Sequence, residues 1–434
     1  MVWDLVGDCE AWKVVILSCG VWEVWIEKVV CISISGVNCW ECFGLDLVFW
    51  GEMKKNILIV IENLLVGGGA EKSATILGNG LEKKGYNVVY LTFTNGEKKY
   101  HHTSKEICLN YQKPTTSIQA LIYMIKRAWQ IKKYCKKHKI DTSLSFLEAA
   151  NFANVFSKIL GNNSRIMLSV RSNIKSSKSK NEKKMIKLLF PKADYITTIA
   201  KEEAQNLIRD YGIKPEKISN IYNMFDIQEI QNQSKEDLGE YQELFNNGKF
   251  TFINIGRFVR AKNHKMLMEA FDKFHQQNPN SQLVILGDGP LKEEVEEQKN
   301  SLSSSADIYF LGVYNNPYKF LANSDCFVFS SSWEGMGRVL VEAMACGLPV
   351  ISTDCQVGPK EVLRKDVQIF DEIQNVSKEE FGILVPVNDS EKLSEAMELI
   401  YNNEELRENY KEKSKLRAKD FDVGKIINEW ESIL

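Results

Sequence analysis

The chain has 434 residues and a formal net charge of −2, with 44% hydrophobic and 26% charged residues. This length predicts two or three domains with ample core, and the composition is ordinary for a globular protein. The near-neutral charge argues against a strongly basic nucleic-acid-binding protein.

The first 52 residues differ in composition from the rest of the chain. They carry eight acidic residues against two lysines, and they hold six of the nine tryptophans. Their longest uncharged stretch, residues 29–40, is too short to cross the ~30 Å hydrocarbon core of a bilayer. Because Met53 directly precedes a clean strand pattern, we expect residues 1–52 to be an atypical extension, not part of the physiological protein. A segment that contacts a membrane surface or a partner is the alternative.

From Met53 onward the sequence alternates between strand and helix patterns. A glycine loop at residues 67–69 precedes a helical pattern at residues 70–84. The strands predicted in this half are at residues 57–61, 88–93, 142–146, 166–170 and 195–199. Such alternation is typical of a parallel sheet with helices on both faces.

The strand signal restarts after a polar stretch at residues 226–248. The strands predicted in this second half are at residues 250–255, 282–286, 307–311, 326–329 and 350–352. We therefore predict an α/β protein with two doubly wound, Rossmann-like domains, at residues 53–225 and 226–415, facing a central cleft. A C-terminal helix at residues 416–434 is expected to pack back on the first domain. Ligands of such sheets bind outside the carboxyl ends of the strands.

The most informative motif is the segment 331–350, in which Glu334 and Glu342 lie eight positions apart. A predicted buried strand precedes it, and a helical pattern begins just after Gly337. Gly335 and Gly337 allow the backbone to approach a ligand closely. One acid therefore lies in a loop and the other on a helix whose free N-terminal amides can bind phosphate or sugar oxygens.

With this motif, the chain from Met53 to its end resembles the retaining family-four glycosyltransferases of GT-B architecture. The other segments that carry the resemblance are residues 67–72, 256–257, 262–264, 287–290 and 310–312. Within that family, residues 191–194, 316–319 and 417–422 resemble bacterial N-acetylgalactosaminyl transferases that extend undecaprenyl-diphosphate-linked glycans. The resemblance implies a GT-B fold and transfer of a sugar from a nucleotide donor.

The resemblance also implies roles for individual residues. Glu342 is expected to accept hydrogen bonds from the ribose hydroxyls, and Glu334 to contact the donor hexose. Arg257 and Lys262 are expected to stabilise the negative charge that develops on the departing diphosphate. The other expected contacts of the nucleotide sugar are Gly68, Gly69, Gly287, Gly289, Leu311, Gly335, Met336 and Gly337. The alternative for Glu342 is a solvated or helix-capping side chain, and for Glu334 a loop acid that bonds nearby amides. For Arg257 and Lys262 the alternative is surface charge, and for the glycines at residues 67–69 a tight turn.

Two loops that follow first-domain strands carry candidates for the acceptor site: Glu148, Asn151 and Arg171. Structural roles remain open for all three. No Asp-x-Asp sequence follows a strand, so we predict no metal or other cofactor, with Arg257 and Lys262 in place of a divalent cation. No carboxylate is evidently placed as a nucleophile. We therefore favour front-face attack, in which an oxygen of the leaving diphosphate helps to take the acceptor proton.

Two segments of the first domain are strongly basic. Residues 126–139 hold seven Lys or Arg and no acid, and residues 171–192 hold eight and one acid. Each basic side chain near an anionic leaflet contributes about 1 kcal/mol. We therefore expect a peripheral protein on the cytoplasmic, inner face of the cell membrane. A solvated helix face is the alternative, and no nucleic-acid partner is expected.

These features together predict an enzyme. We expect a retaining glycosyltransferase that moves a hexose or N-acetylhexosamine from a UDP-sugar to a lipid-linked oligosaccharide, in cell-envelope glycan or glycoprotein glycan synthesis. Uridine is expected because it is common in the subgroup that the chain resembles. The alternatives are a GT-B transferase with a soluble acceptor, and a non-catalytic nucleotide-sugar-binding subunit of an assembly complex.

Overall fold

The computed structural model of the protein describes residues 4–7, 10–13, 55–65, 68–96, 100–112, 114–367 and 370–434. The chain forms two compact units, Met1–Met53 and Lys54–Leu434. In the first unit the described residues pair as antiparallel strands β1 (Asp4–Gly7) and β2 (Glu10–Lys13). The prediction that residues 1–52 are foreign to the physiological protein concerns positions that mostly lie outside the described residues.

The first half of the larger unit is built on a parallel sheet of seven strands. These strands are β3 (Asn56–Ile61), β4 (Asn87–Thr92), β5 (Lys105–Cys108), β6 (Thr142–Phe146), β7 (Arg165–Val170), β8 (Tyr195–Thr198) and β9 (Ile218–Asn220). Their order across the sheet is β5-β4-β3-β6-β7-β8-β9. The central strands are short runs of buried residues, because helices cover a parallel sheet on both faces.

Several helices of this half begin at capping side chains. The helices are α1 (Gly69–Lys83), α2 (Ser117–Lys137), α3 (Glu148–Ile159), α4 (Ile174–Ser177), α5 (Lys180–Leu189) and α6 (Lys201–Tyr211). Thr116 accepts a hydrogen bond from the backbone of Gln119 at the start of α2, and Ser179 with Glu182 forms a capping box at α5. These bonds satisfy amides that a helix start leaves unpaired.

The second half contains another sheet of seven strands, parallel except at one edge. Its strands are β10 (Phe250–Ile255), β11 (Ser281–Leu286), β12 (Ile308–Gly312), β13 (Cys326–Phe329), β14 (Val350–Thr353), β15 (Ser377–Lys378) and β16 (Ile383–Val385). Their order is β12-β11-β10-β13-β14-β16-β15, and β15 runs antiparallel to β16. Clusters of buried apolar side chains lie on both faces of this sheet.

The helices of the second half surround this sheet and then leave it. They are α7 (Ile227–Gln233), α8 (Gln242–Phe245), α9 (His264–Gln277), α10 (Lys292–Ser301), α11 (Tyr318–Ala322), α12 (Arg338–Ala345), α13 (Pro359–Leu363), α14 (Ser390–Tyr401), α15 (Glu404–Ala418) and α16 (Val423–Ile433). None of the helices in the described residues is long and apolar enough to span a bilayer.

The predicted α/β fold with two doubly wound sheets is confirmed. The boundaries of each predicted strand lie within one residue of an observed strand. In the two seven-stranded sheets, strands β5, β9, β15 and β16 escaped prediction, and each has only two to four residues. Such short segments carry too few residues for a period-two or buried-run pattern to stand out.

The last helix, α16, packs against the first sheet. Trp430 is fully buried there, and its ring stacks near Phe146 at a centroid distance of 6.4 Å. The chain returns to the first domain beside the segment by which it left that domain. The backbone N–H of Phe225 donates to the carbonyl of Phe421 at 3.0 Å, and the backbone N–H of Val423 donates to the carbonyl of Phe225 at 2.8 Å. The two crossings between the domains are therefore hydrogen-bonded to each other.

Replacing Trp430 with alanine tests how strongly α16 stabilises the first domain. We expect Trp430→Ala to lower the free energy of unfolding by about 3–5 kcal/mol, because it leaves a large cavity in a packed core. Urea denaturation followed by circular dichroism measures this difference. Trp129→Ala is the matched control, since Trp129 is 56% exposed on α2 and its removal should change stability by less than about 0.5 kcal/mol. Equal effects of the two changes would contradict the packing role of α16.

Candidate active site

A cavity of about 270 Å³ lies between the first turn of α1 and the first turn of α12. Loops that follow β6, β7 and β8 of the first sheet line it on one side, and the loop after β13 of the second sheet lines it on the other. The carboxyl ends of the two parallel sheets therefore face each other across this space, which we call the cleft cavity. Ligands of open parallel sheets bind at such edges.

Glu334 and Lys262 meet at one side of the cleft cavity. The Lys262 ammonium group forms an ion pair with the Glu334 carboxylate, and it lies 5.1 Å from the centroid of the Phe329 ring. Ser331 also donates its hydroxyl to Glu334, at 3.3 Å. Lys262 and Glu334 are 72 positions apart in the sequence, and the fold brings them together in one site. Arg257 follows β10 and has an exposed side chain.

The glycines of the Glu334 loop are required by the geometry of the cleft. A Cβ atom on Gly335 would lie 2.9 Å from the Arg171 carbonyl oxygen of the other domain, so a larger residue would push the domains apart. Gly337 has a φ of +73° and caps α12, a conformation that glycine adopts without strain. Met336 between them is buried, and its sulfur accepts the backbone N–H of Asn223 at 3.4 Å.

The other predicted nucleotide contacts lie on neighbouring loops. Gly287 and Gly289 lie against backbone atoms of Gly256 and Phe258, at which a Cβ atom on either glycine would clash. These two glycines therefore also serve loop packing within the second domain. Leu311 is half-buried on β12.

Gly68 and Gly69 lie at the start of α1, where a second helix N-terminus meets the cleft. A Cβ atom on Gly69 would lie 3.2 Å from the Arg338 side chain of the other domain. The carboxylate of Glu71 folds back over Gly68, and burial raises the pKa of this carboxyl group. The backbone of the first domain at Gly69 therefore lies close to Arg338, at the N-terminus of α12.

Glu342 is buried within a cluster of cations from both domains. Its carboxylate lies 3.4 Å from the ammonium nitrogen of Lys72 on α1 and 3.8 Å from the Arg338 guanidinium. Lys72 also donates a hydrogen bond to the Tyr318 hydroxyl at 3.1 Å. Burial lowers the pKa of Lys72, and the charge of Glu342 opposes that shift. Neither Lys72 nor Arg338 was singled out as a site residue from the sequence.

Arg171, which is buried, and Arg338, whose side chain is 14% exposed, bring guanidinium groups to the cleft cavity from opposite domains. Arg171 donates to the side chain of Asn223 at 2.9 Å, and Arg338 donates to the Ser73 hydroxyl at 3.2 Å. Among the described residues, Nε and Nη2 of Arg171 and Nη2 of Arg338 have no hydrogen-bond partner. Burial, and then the charge of Arg338, lower the pKa of Arg171 to about 9.

Such a pair favours an anionic ligand. Buried cationic donors without partners cost free energy, and oxyanions of a ligand would both satisfy the donors and reduce the repulsion between the guanidinium groups. The cleft cavity therefore has the chemistry of a phosphate site. An arginine that follows a glycine is common in sequences. Arg338 therefore could not be identified as a site residue from the sequence, because its neighbours in the first domain are known only from the fold.

Two of the three predicted acceptor residues lie deeper in the first domain. Glu148 is buried, accepts the Ser172 hydroxyl at 2.9 Å and pairs with Lys178 at 2.8 Å. Asn151 is fully buried, and its amide bonds to the side chain of Ser145 and to a backbone carbonyl of β7. The structure thus places the Asn151 side chain between α3 and the sheet. Of the three, Arg171 lines the cleft cavity.

Throughout the ranges that the structure describes, no group of three or more His, Cys, Asp or Glu side chains lies close enough to hold a metal ion. The cationic side chains near the cleft include Lys72, Arg171, Lys262 and Arg338.

Two family models match the two halves of the chain. "Glycosyltransferase Family 4" matches residues 67–229, and "Glycosyl transferases group 1" matches residues 240–417. The crystal structure of HepE from Anabaena in complex with UDP covers 87% of this chain and 99% of its own, with a TM-score of 0.70 and 17% identity. Each of the two sheets of this chain thus belongs to a half that a glycosyltransferase family describes.

Relatives along nearly the whole length agree with these matches. A glycosyltransferase of Methanocaldococcus jannaschii, MJ1059, is 33% identical over 377 residues, which are 80% of this chain and 92% of the relative. A Campylobacter jejuni enzyme, N-acetylgalactosamine-N,N'-diacetylbacillosaminyl-diphospho-undecaprenol 4-alpha-N-acetylgalactosaminyltransferase, is 30% identical over 84% of this chain and 95% of its own. The chain therefore belongs to the family 4 glycosyltransferases and has their GT-B fold.

Proposed function

We propose that this glycosyltransferase moves a hexose or N-acetylhexosamine from a UDP-sugar to a lipid-linked glycan, with retention of configuration, in the synthesis of cell-envelope or glycoprotein glycans. One observation carries the proposal: the cleft between the two sheets joins the Lys262–Glu334 pair to the guanidinium groups of Arg171 and Arg338. The Anabaena structure that shares this fold contains UDP, and the Campylobacter relative is named for a diphospho-undecaprenol substrate.

The diphosphate of the donor fits the cleft cavity. The N-termini of α1 and α12 both open into it, and free amides at helix starts bind phosphate oxygens. Arg171 and Arg338 supply donors that lack partners among the described residues. Glu71, whose carboxylate lies at the start of α1, would move aside for the more strongly held anion.

The ribose then lies at Glu342, whose carboxylate can accept both hydroxyls of a vicinal diol. Lys72 bridges Glu342 and Tyr318 at present, so it holds the carboxylate in place from the first domain. Nucleotide binding thereby draws on side chains of both domains, which favours a closed cleft when the donor is bound.

Transfer requires the bond between the anomeric carbon and the diphosphate oxygen to break as negative charge accumulates on the diphosphate. We assign Lys262, together with the exposed Arg257 after β10, to stabilise that charge. Glu334 holds the hydroxyls of the donor sugar. The acceptor hydroxyl attacks from the same face that the diphosphate leaves, and its proton passes to a phosphate oxygen, so no protein nucleophile is needed.

The surface of α2 supports the proposed attachment to the inner face of the cell membrane. Its exposed apolar side chains share one face of the helix at helical spacing: Ile118, Leu121, Ile122, Ile125 and Trp129. Lysines crowd the second half of the same helix, and α5 adds the exposed Leu188 among four more lysines. An apolar face flanked by lysines fits an anionic lipid surface.

Calorimetric titration of the full chain with UDP, GDP and ADP, each without metal, tests the donor assignment. We expect UDP to bind most tightly. Glu342→Gln should weaken UDP binding about tenfold, or roughly 1.4 kcal/mol, because the amide accepts the ribose diol less strongly. Glu334→Gln is the matched control: it should keep UDP affinity and lower kcat. Preference for GDP, or no effect of Glu342→Gln, would contradict the assignment.

Transfer activity should not depend on a divalent cation. We expect full activity after dialysis against EDTA, because Arg257 and Lys262 neutralise the leaving diphosphate in the proposed reaction. A radiolabelled-sugar transfer assay with and without added Mg²⁺ or Mn²⁺ measures this. Activity that is lost in EDTA and restored by either metal would refute the proposed role of the two cations.

Sedimentation with liposomes tests the membrane surface. The protein should sediment with vesicles that contain phosphatidylglycerol, and less so as salt rises, because salt screens the lysine contribution. Ile122→Ser combined with Ile125→Ser should weaken binding about tenfold or more, since two apolar side chains no longer enter the lipid. Leu416→Ser, on an exposed apolar residue of α15, is the control and should bind as the wild type does. No sedimentation at low salt would contradict the proposal.

A further inference from the structure

A second cavity, of about 590 Å³, lies on the other side of the Glu334 loop. Residues of α4 and α6 in the first domain line one wall. The other wall comes from Ser332 and Trp333, from the segment after β14, and from residues 370–374 of the second domain. We call it the Trp333 cavity. Its volume lies within the range of about 300–1,000 Å³ that is usual for ligand sites.

We propose that the Trp333 cavity binds the sugar units of the acceptor glycan that receive the transferred residue. The inference rests on the proposed function, because it assumes that the cleft cavity holds the nucleotide sugar. The ligand that we assign to this cavity is an uncharged carbohydrate rich in hydroxyl groups.

The position of the cavity follows from the loop that it shares with the cleft cavity. Ser332 and Trp333 line the Trp333 cavity, while Glu334 through Arg338 line the cleft cavity. One short loop therefore separates the two spaces, and Glu334 stands at the boundary. Since Glu334 holds the donor sugar, an acceptor bound beside Trp333 can present a hydroxyl to the anomeric carbon across a distance of a few atoms.

The walls carry the two kinds of group that carbohydrate sites use. Trp333 is 36% exposed and Phe370 is 57% exposed, and both rings face this cavity, where the apolar C–H faces of sugar rings can stack on them. Arg209 of the first domain lies over the Phe370 ring at 4.8 Å, which joins the two walls. Glu202, Asn206 and Gln356 add polar groups that can bind hydroxyls.

The charges of the cavity favour a neutral ligand over a phosphate. Lys175, Arg209 and Lys360 are offset by Glu202, Asp354, Asp371 and Glu372. Two of the three cations are also already engaged: Arg209 makes a bidentate pair with Asp210 at 2.8 and 2.9 Å, and Lys360 pairs with Asp354 at 3.1 Å. This differs from the cleft cavity, where guanidinium donors lack partners among the described residues.

The backbone beside the cavity is held in a strained form by the other domain. Val357, just after the cavity-lining Gln356, has a φ of +68°, which a β-branched residue rarely adopts. The carboxylate of Glu202 accepts the Val357 backbone N–H at 2.9 Å across the domain boundary. Strain of this kind persists where the surroundings enforce it and is common at binding sites. The cavity therefore takes its shape only when the two domains meet, which couples acceptor binding to the closed cleft.

Photo-crosslinking of the full chain tests the proposal directly. The probe is an N-acetylhexosamine disaccharide that carries a diazirine and is linked to a short-chain prenyl diphosphate. We expect crosslinks on peptides that contain Trp333 or Phe370, and we expect excess UDP to leave them in place. Crosslinks elsewhere, their competition by UDP, or the absence of any crosslink would overturn the assignment of the cavity to the acceptor.

Kinetics of Phe370→Ser give a second measurement, with Leu416→Ser as the matched control. The cavity variant should raise the KM for the acceptor roughly tenfold, as loss of one well-buried stacking contact does at other interfaces, with the Kd for UDP unchanged. A raised KM for the donor instead would assign the cavity to the donor sugar and overturn the inference. Failure of the proposed function itself is distinguishable, because it appears as a wild-type protein that does not bind UDP.

Discussion

Within residues 54–434, one carboxylate at the domain boundary helps to set how the two domains meet. Glu361, on α13 of the second domain, accepts the backbone N–H groups of Lys201 and Glu202 at 2.8 and 2.9 Å, at the start of α6 in the first domain. Tyr222 donates its hydroxyl to the same group at 2.9 Å. Burial raises the pKa of Glu361, and these donors oppose that shift. Because the bond is at a helix N-terminus, it fixes position and orientation together, and so it sets the edges of the two sheets face to face.

With the edges so fixed, like charges are forced together. Arg171 and Arg338 come from different domains, Lys72 lies beside them, and Glu342 is the carboxylate that Lys72 and Arg338 share. When no ligand is bound, the cations of this cluster, Lys72, Arg171 and Arg338, therefore outnumber its carboxylate, Glu342. In the proposed function, an anionic ligand would stabilise this arrangement of the two domains by reducing the repulsion. The proposed affinity for a diphosphate and the contact between the two domains would then depend on the same charges.

How far the sequence could predict this site depended on distance along the chain. The long strands and the Glu334 loop were predictable, because buried runs and glycine–helix junctions are local patterns. Lys72, Arg338 and the Trp333 cavity were not, because each acquires its role only from residues of the opposite domain. For Asn151 the local pattern did not show the environment of the side chain. Asn151 follows a strand, as a ligand contact would. Its place in the first turn of α3 directs its side chain toward the sheet, where it is fully buried.

The paired crossings at Phe225 and residues 421–423 have a mechanical consequence. A single linker allows two domains to rotate relative to each other about many axes. Here two crossings are hydrogen-bonded to each other, which restricts relative rotation to fewer axes. Any rotation of one domain against the other is then expected to take place about the line of these crossings. The loops that line the cleft cavity from the two domains are therefore expected to keep the same alignment to each other whenever the domains meet.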